Sequence, residues 1–156
     1  MFKLFKNKKE NKTLNNDDLL SKTGSLLIHA AKIDENYTDK EKEIVKKTLL
    51  DLGANQQNID TILEKAEQNE KDSNQIIDFT REIKNSDDEF KKKIVETLWN
   101  IIYSDDLSDM YETNLMRRLS GLLYLDNKVV GDIKQRIKSK LLKWHILLMI
   151  NVLNVN

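Results

Sequence analysis

With 156 residues and 18.3 kDa, the chain is the size of one domain, or of one domain with tails. It has no cysteine, no proline and four glycines, which excludes disulfide frameworks, thiolate metal sites and cysteine nucleophiles and argues against a turn-rich sandwich or barrel. Net charge is zero, yet residues 14–112 hold 13 basic and 23 acidic side chains, while residues 113–156 hold 8 basic and 2 acidic; phosphates would be repelled from that acidic middle, so no nucleic-acid partner is expected.

In chain order, residues 1–16 read as a basic flexible N-terminal tail. Its apolar residues, Met1, Phe2, Leu4 and Phe5, are too few for a secretory signal core. Beside lysines, they suit weak contact with a membrane surface. Apolar residues at helical spacing then define a first helix over about 17–33, with Leu19, Leu20, Leu26, Leu27, Ala30 and Ala31 inside. A second runs from after Thr38 to Gly53, a residue suited to a left-handed C-cap. Shorter helices follow over about 56–68, burying Ile59, Ile62, Leu63 and Ala66, and about 74–83, burying Ile76, Ile77 and Phe79. A fifth covers about 87–103, a sixth 110–123, and a seventh starts near Asn127. Sustained strand alternation is missing throughout, so the fold is all-α: a compact bundle of about seven short helices.

Residues 141–156 carry eleven apolar side chains in sixteen, too short and too polar at their end for a membrane span. They are expected to prolong the seventh helix and pack on the bundle, with an exposed partner-binding or membrane-contacting helix as the alternative. The domain proper then covers residues 17–140.

Three helix starts share one device. Thr38 with Glu41, Ser86 with Glu89 and Asp109 with Glu112 each place a capping residue three positions before a glutamate. Such a pair satisfies first-turn amides reciprocally, and its acid suits the positive helix end.

Two of these starts belong to an internal repeat. Asp34 to Glu41 and Asp105 to Glu112 align at an offset of 71 residues, each with an aspartate closing one helix and a glutamate seven positions later. Two helix–loop–helix halves related in this way can bring four carboxylates together, and oxygen-rich clusters bind hard cations. Asp34, Glu41, Asp105 and Glu112 are therefore the candidate metal ligands, with calcium or magnesium as the ion; capping is the competing role for the two glutamates. The loops are not EF-hands: the glycine and bidentate glutamate positions are Asp39 and Val45 in one, Met110 and Met116 in the other.

The segments AAKIDENYTDKE (Ala30 to Glu41) and LWNIIYSDDLSDMYE (Leu98 to Glu112), with Trp99, Tyr103, Tyr111, Arg117, Arg118 and Leu119, resemble the TerB-like domain of tellurite-resistance proteins and DjlA-type co-chaperones. The resemblance spans about residues 18–140. Glu35 and Asp106 stand where that family has glycine, and Ile33 and Ser104 where it has alanine, so the chain looks like a divergent, stand-alone member. It implies a bacterial, cytoplasmic module linked to stress responses, peripheral at the inner membrane surface at most, with acidic loops for divalent cations and unidentified protein partners. Without proline the chain lacks the His-Pro-Asp motif by which a co-chaperone stimulates its Hsp70.

No nucleophile–base pair and no phosphate loop stand out, so the chain reads as non-enzymatic. His29, on an apolar helix face, reads as a hydrogen-bonded structural histidine, and His145 sits in the apolar tail. A non-enzymatic scaffold with a cation at its acidic junctions is the leading reading. The alternatives are a metal-free helical protein-binding adaptor and a metal-assisted hydrolase using paired carboxylates.

Overall fold

The computed structural model describes the backbone of residues 2–33, 37–73, 75–103 and 110–154, with side chains outside the description at 2–15 and 110–113. Among these residues are seven helices and no strand: α1 (Phe2–Lys32), α2 (Asp39–Asp51), α3 (Ile59–Asp72), α4 (Ile76–Ile83), α5 (Asp88–Tyr103), α6 (Met110–Leu122) and α7 (Asn127–Asn154). The expected order holds, although α1 begins at Phe2 rather than near Asp17.

α1 is the central element and packs against α2, α3, α4 and α5. Leu20, Leu26, Leu27 and Ile28 are fully buried, and so are Ser21, Thr23 and Ser25 between them. A helix buried over most of its circumference must satisfy its own polar atoms there. These hydroxyls do so by bonding back one turn: Ser21 Oγ donates to the Asp17 carbonyl at 2.9 Å and Thr23 Oγ1 to that of Leu19 at 2.7 Å. Ser25 Oγ lies 3.0 Å from the Ser21 carbonyl and 2.8 Å from that of Ala66, tying α1 to α3.

Next to that bond α1 carries Gly24. A Cβ there would sit 2.8 Å from the Ala66 Cβ and 3.3 Å from Leu49 Cδ1, so glycine is required by the approach of the two helices. Gly53 serves a different purpose. At φ 125° it closes α2 in a Schellman motif, with its N–H on the Leu50 carbonyl and the Ala54 N–H on that of Leu49. Tyr124 (φ 56°) repeats the motif after α6, with the Leu125 N–H on the Ser120 carbonyl.

Elsewhere local detail departs from expectation. Thr38 and Glu41 form the capping box at the start of α2, with the Thr38 N–H donating to Glu41 Oε2 at 3.0 Å. Ser86 does not cap α5. Its hydroxyl donates to the Ile83 carbonyl at 2.6 Å, closing α4, and α5 starts two positions later. Ile77 is exposed, because the α4 stripe of Ile76, Phe79, Thr80 and Ile83 is already a complete buried face. Lys91, which no pattern marked, is buried, and its ammonium donates to the carbonyls of Leu123 (3.0 Å) and Lys84 (3.4 Å), joining the ends of α4 and α6 to α5.

The tail shows the largest difference. It does prolong α7, but only Val130, Ile133 and Ile137 of that helix are buried. From Leu142 to Leu153 the large apolar side chains are exposed, none less than 46%. They do not pack on the bundle: the buried contacts of α7 are made by its first half, through Val130, Ile133 and Ile137.

Gly24→Ala is expected to lower stability by about 1–2 kcal/mol, since overpacking outweighs the gain in helix propensity. Gly131→Ala, whose Cβ meets nothing within 4 Å, is expected to raise it by about 0.5–1 kcal/mol. Urea unfolding of the two variants checks both signs.

Candidate functional site

The first acidic junction lies between α1 and α2, on the flank of the α1–α3 contact. One turn beyond Ser25 on α1, the His29 Nδ1 is 3.5 Å from Glu70 Oε1, and a further turn on, Lys32 Nζ is 2.7 Å from Glu70 Oε2. Glu70 is itself buried on α3, and these partners offset the cost of desolvating its carboxylate. The His29 ring also leans on Phe79, centroids 6.0 Å apart, as befits a structural histidine. Past the end of α1, the Tyr37 hydroxyl donates to Glu67 Oε1 at 3.5 Å, which Lys42 Nζ approaches to 3.3 Å, and Lys32 Nζ stands 5.9 Å from the Tyr37 ring.

Tyr37 reports the electrostatics of this corner. Burial pushes its hydroxyl far above the usual tyrosine range, and the charges of Glu67, Glu41 and Glu70 push it further in the same direction. Three carboxylates thus act on one phenol, with Lys32 and Lys42 each already paired to one of them. Glu41 is 3% exposed and is occupied by the capping box. Both its bonds, to the Thr38 N–H and hydroxyl, use Oε2.

Of the four expected ligands, the structure therefore describes the side chain of Glu41 alone. Asp34 and Asp105 lie outside the described residues; Glu112 sits in the first turn of α6 with its side chain outside the description. Among the described residues, no three acidic or histidine side chains gather closely enough to enclose a metal ion. Glu67 and Glu70 were not singled out in the sequence. They lie on α3, some thirty residues from the junction, one and four positions after Ala66, which meets Gly24 and Ser25 of α1.

At the end of α5, before the second junction, the described residues combine aromatic rings with basic and polar side chains of α7. Trp99 is buried and stacks on Tyr103 at 5.8 Å, while Lys134 Nζ from α7 lies 5.1 Å from its ring. Tyr103 opens onto a hollow of about 450 Å³ shared with Gln135, Lys138, Leu142 and His145 of α7. A second hollow of about 320 Å³, between α1, α3 and α4, is lined by Lys22, Asn69, Asp72, Asp78 and Glu82. There, burial and the neighbouring Asp18 raise the Glu82 carboxyl above the usual range.

Residues 21–135 match the family model described as tellurite resistance protein TerB, which covers well over half of the chain. No curated protein and no solved structure matches.

Lys32→Met strips a buried carboxylate of its nearest cation and is expected to cost about 1–3 kcal/mol. Lys42→Met, beside the more exposed Glu67, is expected to cost less than about 1 kcal/mol. Chemical denaturation of both variants measures the contrast.

Proposed function

Because the chain belongs to the TerB family, we propose that it is a non-catalytic binding domain whose two acidic helix junctions hold one divalent cation, calcium or magnesium. Asp34 and Glu41 are its ligands from the first junction, Asp105 and Glu112 from the second. The observation that carries this reading is the repeated aspartate–glutamate spacing at an offset of 71 residues. Hard cations take carboxylate oxygens, and four carboxylates held near one another are relieved of their repulsion by such an ion.

The negative potential felt by Tyr37 supports the first half of the site. The capping box is compatible with it, since a ligand bond through Glu41 Oε1 leaves both Oε2 contacts in place. Membership of the family supports, within this proposal, a role in stress responses such as tellurite resistance, exercised through protein partners.

Titration of calcium, then magnesium and zinc, into EDTA-treated protein tests the proposal by calorimetry. Saturable binding to one site is expected, with a stabilisation of about 2.7 kcal/mol at a hundredfold excess over Kd. Asp34→Asn combined with Asp105→Asn removes both the heat and the stabilisation. Absence of heat with all three ions overturns the cation site and leaves a metal-free adaptor whose glutamates serve as caps. Metal-dependent turnover in a hydrolase screen contradicts the non-catalytic reading.

A further inference from the structure

We infer that the exposed end of α7, residues 141–154, is a docking element for the surface of an anionic lipid bilayer. Leu142, Ile146, Leu147, Leu148, Met149 and Val152 are each roughly half exposed or more on a helix that leaves the bundle. A helix that is apolar over most of its circumference belongs in a core or in lipid. One partner helix does not suffice: a second copy seated on the Leu142–Ile146–Met149–Leu153 seam leaves Trp144 and Leu148 on the opposite side, and Val152 on the flank, in water.

Charge selects the lipid. Lys134, Arg136, Lys138, Lys140 and Lys143 precede or enter the apolar segment, and no acidic residue follows Asp132. Arg136, Lys140, Lys143, Asn151 and Asn154 share one helical stripe, interrupted by Leu147. Trp144 stands where the basic and apolar parts meet, as an aromatic ring does at a headgroup layer. An apolar insertion and a basic patch are the two signals that durable surface attachment requires. At 1.5 Å per residue the segment is about 21 Å long, short of the roughly 30 Å hydrocarbon layer. Among the described residues no helix is long and apolar enough to cross a membrane. The attachment is therefore to one face.

The test is flotation of the EDTA-treated full chain with phosphatidylcholine vesicles, with and without phosphatidylserine, together with tryptophan emission. EDTA keeps the outcome independent of the cation site. Binding is expected to be at least roughly tenfold stronger to the anionic vesicles, and to weaken by roughly tenfold or more in the triple variant K138E/K140E/K143E. Emission is expected to shift to the blue on binding; W144F abolishes the shift, because Trp99 is already buried. The variant L148N/V152N, altered at exposed positions alone, is expected to keep its melting temperature and lose flotation. Equal binding to both vesicle types, or none, overturns the inference. So does a dimer in light scattering that L148N/V152N dissociates, with no lipid binding by the wild type, which identifies a second copy as the occupant.

Discussion

A side chain on Gly24 would meet the Cβ of Ala66 at 2.8 Å, and this near contact of α1 with α3 fixes the position of everything around the first junction. Two helices brought so close exclude water along their seam, so each polar atom in it needs a partner. Ser25 answers with the Ala66 carbonyl, and further along the same line Glu70 answers with His29 and Lys32. The seam then reaches Glu67 and Tyr37, where α1 has ended and α2 is about to begin. The acidic corner is thus an outgrowth of core packing. The helix that fills the centre of the bundle also sets the distance between Tyr37 and the carboxylates that, after burial, push its hydroxyl above the usual tyrosine range.

Charge is divided between the elements as it is along the chain. Glu67 and Glu70 of α3 and Glu41 of α2 all act on Tyr37 at the first junction, while the basic residues near the C-terminus precede or enter the exposed part of α7. These are separate helices with separate neighbours: α3 packs mainly on α1, and α7 on α5 and α6. One domain therefore carries a negative corner suited to a cation and a positive, apolar projection suited to anionic lipid. Neutral overall charge conceals both.

Helix order, helix number and most of the core were legible in the sequence because α2 to α6 keep regular apolar periodicity and end in recognisable signals, such as Gly53 and the Thr38–Glu41 box. What escaped has physical reasons. Ser86 can bond forward as a cap or backward to a carbonyl, and spacing alone does not choose. Tyr124 occupies a left-handed position usually given to glycine or asparagine, so no local signal announces the end of α6. Lys91 is buried because three helix ends meet beside it, a tertiary fact. Glu67 and Glu70 became part of the first junction through the α1–α3 contact, again with no local signature. For the tail, apolar content alone pointed to burial, whereas the structure leaves its large apolar side chains exposed. Of the four proposed ligands, Glu41 was legible in both its roles, and its capping role is the one the structure displays.

The central claim is that both junctions serve one ion. Paramagnetic broadening by Mn²⁺ in the amide spectrum of the full chain tests it most directly, since an unpaired-electron metal erases signals close to itself. Residues 34–41 and 105–112 are predicted to broaden together, at the same substoichiometric metal. Broadening confined to one junction, or spread evenly over the acidic surface, contradicts a shared site.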